Sequence, residues 1–512
     1  MTLTDAPPPL SPVPPRPPSL TKRIRRFLLG SPVASEHLEH TLLPKFLALP
    51  VFASDAISSV AYATQQIILA LGAAGLWLAA ERERYAHYTL LISGLIALLL
   101  AIVVTSYWQT VFAYPKGGGS YIVTKDNLGT LPGLVAAAAL LIDYVLTVAV
   151  SIAAGVQNLV SIPFAARLHL GDHMILLCLL FIAILALANL RGLRESGALF
   201  AFPTYLFVTM CYLMIGLGLF GSLIGWQFHL ENVNQTWPSG EEAARQALGA
   251  FSIMVLLRAF ANGCSAMTGT EAVSDGIPAF REPKSKNAAY TLLMMGCMLG
   301  TIFVGISWLA TRFHVVYWEE GGRTAPAVID QLSGAVFGKS GPWSFAYLIT
   351  QFATAGILIL AANTSFADFP RLSFFLARDR FMPKQFGNLG DKLVFNNGII
   401  ILALFAGVLI IIKRGNVDVL IPFYAVGVFL AFTLSQSSMV WHWYTRRQPG
   451  WQRKMAINGI GALATFTVLL DIVFEKFLEG AWAVVILIVV LVLIFRKIYN
   501  VERQISFLVG DN

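Results

Sequence analysis

Two apolar stretches of this 512-residue chain, each long enough to cross a bilayer, carry the same interruption. One is Phe52-Ala53-Ser54-Asp55-Ala56-Ile57-Ser58-Ser59, and the other runs from Gly263 to Ser274 through Thr268, Gly269, Thr270 and Glu271. Each sets an acid before Ala, a β-branched residue and Ser: Asp55-Ala56-Ile57-Ser58 and Glu271-Ala272-Val273-Ser274. A carboxylate near the bilayer centre costs roughly 2.5–3.5 kcal/mol on insertion scales, so it has to face the inside of a helical bundle. Paired interrupted segments in corresponding halves of a polytopic protein point to a central ion or substrate site, the arrangement of secondary transporters.

The rest of the chain supports a bundle. With 12% charged residues and a mean hydropathy of +0.69 there is too little polar surface for a soluble globule of this size. The apolar residues collect in runs of about 20, the length of a membrane-crossing helix. The expected spans are 47–72, 86–112, 130–160, 173–190, 198–225, 248–278, 288–311, 343–369, 397–413, 418–444, 455–475 and 480–498, with spans one and six broken. A basic stretch before the first span (Lys22, Arg23, Arg25, Arg26, Lys45) places the start of the chain in the cytoplasm. Twelve crossings return the C-terminus there, in a cell-membrane protein. About 25 of the 36 Lys and Arg then fall on the cytoplasmic side, as the positive-inside rule requires. Lys413 and Arg414, between spans nine and ten, run against it. The +8 net charge is thereby explained by loops, and nucleic-acid binding is excluded for want of a basic, aromatic-rich soluble domain.

The expected fold class is an all-α polytopic membrane protein of twelve helices. Five spans separate the two breaks. An odd unit inserts with opposite orientation in its second copy, so spans 1–5 (about 47–225) and 6–10 (about 248–444) read as a 5+5 inverted repeat. Two extra helices at about 455–498 complete the domain 22–500. Residues 1–21 are proline-rich and read as a disordered cytoplasmic tail, and 501–512 as a short cytoplasmic tail.

Around the first break, Asp55 and Tyr62 are seven residues apart, two turns on one face. The neighbouring serines suggest an unwound turn whose carbonyl oxygens replace water around a dehydrated cation. Span six offers Thr268 and Glu271, an acid able to ligate a cation or carry a proton; Asp275 beyond them reads as a hydrated end residue. In span three, Asp143 adjoins a hydroxyl stripe of Tyr144, Thr147 and Ser151, and span ten brings Tyr424 after a helix-loosening Pro422. Thr147 and Ser151 serve equally well as helix-to-helix hydrogen bonders. The stretch Gly334-Ala335-Val336-Phe337-Gly338-Lys339-Ser340 is one residue short of a phosphate-binding loop and lacks a strand before it. The four cysteines form no metal spacing, and no hydrolase or metalloprotease motif occurs, so an enzyme is not expected, nor a cofactor.

Together these residues resemble the amino acid–polyamine–organocation superfamily, and within it the KimA-type potassium–proton symporters. The resemblance spans about residues 22–500. It rests on Ser54-Asp55-Ala56-Ile57-Ser58-Ser59-Val60-Ala61-Tyr62, on Tyr114-Pro115-Lys116-Gly117-Gly118-Gly119-Ser120, on Asp143-Tyr144 through Ser151, on Gly263 to Ala272, and on Ala361-Ala362-Asn363-Thr364, Leu376-Ala377-Arg378-Asp379 and Ile421-Pro422-Phe423-Tyr424. It implies a potassium site at Asp55, Tyr62, Asp143, Thr147, Ser151, Thr268 and Tyr424, with Tyr144 beside it and Glu271 as the proton-coupling acid. K⁺ and H⁺ are then the transported partners, in a lipid bilayer, by alternating access. A proton-coupled amino-acid or polyamine permease of the same superfamily is the rival reading, and a non-transporting membrane sensor the rival from another class. Relatives of this type carry a folded cytoplasmic domain after the last span, linked to dimerisation and cyclic-dinucleotide control. The sequence here runs only to Asn512, so neither property is carried over, and the oligomeric state stays open, a dimer included.

Overall fold

The computed structural model describes residues 42–509 apart from 118, 163, 165–167, 192–196, 227, 229–239, 250, 321–322 and 388–394. The proline-rich tail, the basic residues 22–26 and the C-terminal residues 510–512 lie outside the described residues, as does the side chain of Tyr424. Among the described residues, eleven helices are long and apolar enough to cross a membrane, and a bent helix pair makes a twelfth span. The chain is therefore a multi-pass membrane protein. In hydrocarbon every backbone N–H and C=O has to be satisfied internally, and helices do this within each span.

Span one consists of α1 (Lys45–Ser58) and α2 (Val60–Ala73). Span two is α3 (Arg82–Ala113), and a short helix α4 (Ser120–Leu128) leads into span three, α5 (Thr130–Val160). Spans four and five are α6 (Met174–Leu190) and α7 (Gly197–Leu223). Span six begins after α8 (Gly240–Gly249), bent by 109° from it, as α9 (Ile253–Gly263), and ends in α10 (Ala272–Asp275). Span seven is α11 (Lys284–Arg312). A loop carrying the two-residue strands β1 (Glu319–Glu320) and β2 (Arg323–Thr324), antiparallel to each other, and helix α12 (Val328–Phe337) follows. Spans eight to twelve are α13 (Ser344–Arg378), α14 (Asn396–Lys413), α15 (Val417–Arg446), α16 (Trp451–Lys476) and α17 (Trp482–Val509). The expected spans all appear. Span eight runs nine residues past its expected end at 369, straight through Pro370 to Arg378.

The centre of the bundle is where the polar residues are. The most apolar stretch of α5 is 89% buried and that of span one 83%, against 22% for α17 at the periphery. Spans eight and ten pack along span three. The face on which α1 begins is called the N-terminal face below, and the opposite one the distal face.

The two breaks differ in depth. Span six opens fully: a 3₁₀ turn over Cys264–Met267, Thr268 extended at φ −66°, ψ 157°, then Gly269 at φ +71°. Span one is interrupted only at Ser59, which keeps right-handed helical angles. The wider unwound turn expected there is absent because the serines bond back to the helix: Ser58 Oγ donates to Asp55 O at 2.8 Å and Ser59 Oγ to Ala56 O at 2.6 Å. Ser59 Oγ also lies 2.9 Å from Ala266 O, tying span one to the broken turn of span six. Lys413, misplaced by charge counting, rests over the Phe423 ring at 4.5 Å, a cation–π contact that offsets its position.

Candidate functional site

Gly269 is what lets span six reach span one. Its positive φ suits only glycine, and a Cβ there would stand 2.6 Å from Asp55 Oδ2 and 2.7 Å from Ala56 N. The extended backbone of span six is thus laid directly against Asp55. On the third side, α5 presents Asp143 and Tyr144. The result is a cavity of about 20 Å³ lined by Asp55, Asp143, Tyr144, Gly269, Glu271 and Asp368, among others, room for one water-sized sphere.

Of the expected site residues, the structure brings Asp55, Asp143, Tyr144 and Glu271 to this cavity. Tyr62, Thr147, Ser151 and Thr268 are buried but do not line it. They sit toward the distal face: Tyr62 follows Asp55 by seven residues, about 10 Å of helix rise, and Thr147 and Ser151 follow Asp143 by one and two turns. The site therefore has an acid layer and, distal to it, a hydroxyl layer. Tyr424 lies on α15, and its side chain is outside the described residues.

The acids are not equivalent. Among the described residues, Asp55 Oδ1 and Asp143 Oδ1 are buried with no hydrogen-bond partner, and so are Ser54 Oγ and Ser151 Oγ. Such orphaned groups cost about 1–3 kcal/mol each, more when charged. Glu271, by contrast, is held by protein donors. The backbone N–H of Ser120 donates to its Oε1 at 2.5 Å and the Tyr107 hydroxyl to its Oε2 at 3.4 Å. That N–H belongs to the first turn of α4, so Glu271 supplies the anion that a helix start favours. Asp275 is part-buried rather than a hydrated end residue. The Tyr144 hydroxyl donates to its Oδ2 at 3.3 Å, and Gly119 packs so tightly on its carboxylate that no Cβ would fit.

Distal to both layers lies a polar seal. Asp418, at the start of α15, accepts from Gln66 Nε2 of α2 and, at 2.8 Å, from the Tyr317 hydroxyl. Asn262 of α9 donates to Gln66 O at 3.4 Å, and Gln65 Oε1 accepts from Val328 N of α12 at 3.4 Å. Burial, and then the Asp418 carboxylate, push the Tyr317 hydroxyl well above its ordinary pKa, so it stays a donor. On the N-terminal face, Asp379 Oδ2 accepts from Tyr121 OH and Lys125 Nζ of α4, both at 2.6 Å, fastening that helix to the end of span eight.

The family model for amino acid permeases matches residues 57–497. The chain belongs to the amino acid permease family. It is accordingly a membrane transporter and not an enzyme. The permease is 42% identical over 485 residues to a protein named potassium transporter KimA from Bacillus subtilis (strain 168), covering 93% of this chain and 74% of that one. Two mutant structures of a manganese transporter from Eremococcus coleocola align with it at 13% identity. Their TM-scores are 0.42 and 0.39, covering 88% and 91% of this chain and 95% and 98% of theirs.

Three residues of the permease play parts that its sequence does not signal. Asp368 follows the polar patch Asn363-Thr364-Ser365 by one turn, a signal that the early expected end of span eight obscured. Tyr107 reads as an interface anchor, yet it is 1% exposed and serves Glu271. Asp418 adjoins the Lys413–Arg414 anomaly and gives no sign of facing inward. The phosphate-loop lookalike is structural: Lys339 Nζ is paired with the buried Asp330 at 2.7 Å.

Proposed function

We propose that the chain takes up potassium across the cell membrane, coupled to proton symport, by alternating access, with both termini cytoplasmic. The observation that carries this reading is the pair of orphaned oxygens, Asp55 Oδ1 and Asp143 Oδ1, facing a cavity of about 20 Å³. Two buried carboxylates without donors among the described residues suit a cation stripped of most of its water, and a cavity for one small sphere suits an ion better than an amino acid. The potassium transporter relative supports K⁺ as that cation. Tyr62, Thr147, Ser151 and Thr268 form the hydroxyl layer that receives K⁺ from the distal side, Tyr424 being the further hydroxyl that the family resemblance implies, and the acids hold it deeper.

Glu271 does different work. Its carboxylate accepts from Ser120 and Tyr107 rather than from a cation; it is assigned the coupling proton, and a proton on it weakens its hold on the start of α4. The Asp418 seal closes the distal face while α4 covers the N-terminal one. A positive N-terminal helix face awaiting an amino-acid carboxylate would be poorly served by these acids.

The test is Rb⁺ uptake, as a K⁺ tracer, into proteoliposomes under an imposed proton gradient. Wild type should accumulate Rb⁺ in competition with K⁺, and Asp55→Asn should abolish this. Glu271→Gln should uncouple uptake from the gradient while keeping Rb⁺ exchange. A sealed, folded preparation with no K⁺-competable flux would refute the reading and favour an amino-acid or polyamine substrate.

A further inference from the structure

The acid cavity has a neighbour of about the same size, about 20 Å³, lying toward the N-terminal face and lined by Gly119, Tyr121, Asp275 and Arg371, among others. Two residues line both cavities, Leu140 and Asp368. Leu140 has nothing to offer an ion. A cation that leaves the acid layer for the N-terminal face by this route therefore passes the Asp368 carboxylate.

One turn further along α13 stands Arg371, whose Nη1 donates to Asp368 Oδ1 at 2.9 Å. Among the residues lining the two cavities it carries the only positive charge, against Asp55, Asp143, Glu271, Asp275 and Asp368. Arginine is never deprotonated in proteins, so this charge cannot be removed by titration; it can only be moved. The side chains differ in freedom to move. That of Asp368 is 3% exposed, whereas that of Arg371 is 21% exposed. An ordinary i,i+3 ion pair on a helix surface neutralises nothing but its partner. This one sits across the outlet of an acid-lined path, where a fixed positive charge would simply repel the cargo.

We propose that Arg371 is a resident counter-ion that competes with the transported cation for Asp368. A cation descending to Asp368 displaces the guanidinium toward the N-terminal face. When the cation leaves, Arg371 closes on Asp368 again, speeds release, hinders rebinding and compensates the acids while the empty carrier returns. Arg371 is thus a positioning residue, and the proposal rests on the potassium reading above.

The test measures Rb⁺ uptake against Rb⁺ concentration in proteoliposomes of wild type, Arg371→Lys, Arg371→Gln, Asp368→Asn and the Asp368→Asn/Arg371→Gln double variant. With the competitor gone, Arg371→Gln should lower the half-saturating Rb⁺ concentration at least threefold and lower the maximal rate by a similar factor, because a tighter-held ion leaves more slowly. Arg371→Lys should stay near wild type. Adding Arg371→Gln to Asp368→Asn should change nothing further. An unchanged or raised half-saturation in Arg371→Gln, or equal losses in the Lys and Gln variants, would overturn the proposal. Should both Arg371→Gln and the similarly sized Arg371→Met fail to fold while Arg371→Lys folds, the pair is structural and the proposal is likewise overturned. Absence of Rb⁺ flux in wild type is a different result and strikes the potassium reading itself.

Discussion

Tyr317→Phe removes one oxygen from the distal seal and leaves the ring in place. In the wild type the Tyr317 hydroxyl donates to Asp418 Oδ2 at 2.8 Å, and Gln66 donates to the other oxygen. Asp418 is only 9% exposed, so in the closed protein no water replaces the lost donor. Opening the distal face hydrates Asp418 and removes the need for one. The variant therefore destabilises the closed state and spares the open one. Leaving a buried acceptor without its donor costs about 1–3 kcal/mol, and 1.4 kcal/mol is a factor of ten. The open population should then rise roughly 5- to 150-fold. Cys264 offers a native reporter: it is 0% exposed and sits in the turn of span six just past Asn262, which itself bonds to Gln66. With the exposed Cys297 replaced by Ser, the rate at which a polar maleimide modifies Cys264 in detergent reads the opening. Tyr317→Phe should raise that rate at least fivefold, with a small fall in Tm because the closed state is the one destabilised. A rate within twofold of wild type would show that the Asp418 network does not hold the distal face shut.

Gly269→Ala should abolish uptake and lower Tm. The positive φ alone costs about 1–3 kcal/mol for a residue with a side chain, and the added methyl would lie 2.6 Å from Asp55 Oδ2; wild-type uptake in this variant would show that span six need not touch Asp55. Asp379→Asn should loosen α4 by about 1 kcal/mol, the scale of a half-exposed ion pair plus a hydrogen bond. Limited trypsin digestion should then cut at Lys116 or Lys125 several-fold faster, and an unchanged rate would mean that Asp379 does not fasten the helix.

Much of this architecture is written in patterns that act locally. Twenty-residue apolar runs have one stable outcome in lipid, so all twelve spans were legible, and the matching acids at Asp55 and Glu271 marked the two that meet at the centre. Asp143 and Tyr144 were legible for the same reason: a carboxylate in hydrocarbon needs an inner face. What stayed hidden depends on partners far away in the chain. Serines beside Asp55 predicted unwinding, but whether they open the helix or bond back to its carbonyls depends on what span six presents. Tyr107 looks the same in sequence whether it faces a headgroup or Glu271, 164 residues on. Asp368 could not be ranked against Asp379 or Asp418, because helix ends near a membrane surface carry acids for solubility as often as for function.

A path lined by five acids has to keep them apart in function as well as in space, since identical acids would trap a cation rather than pass it. On the proposed route the permease would do this through what each carboxylate already holds. Asp55 and Asp143 each keep an oxygen without a donor, and so have the most to gain from a cation. Glu271 is bound to the start of a helix and a tyrosine, Asp275 to a tyrosine, and Asp368 to an arginine. On the proposed route, a cation moving toward the N-terminal face exchanges acids without described protein donors for acids already held by protein donors. On that reading affinity falls along the route without any acid being absent. The same gradient orders the effects of substitution: loss of Asp55 or Asp143 should empty the site, whereas loss of a competitor such as Arg371 should make it hold too tightly.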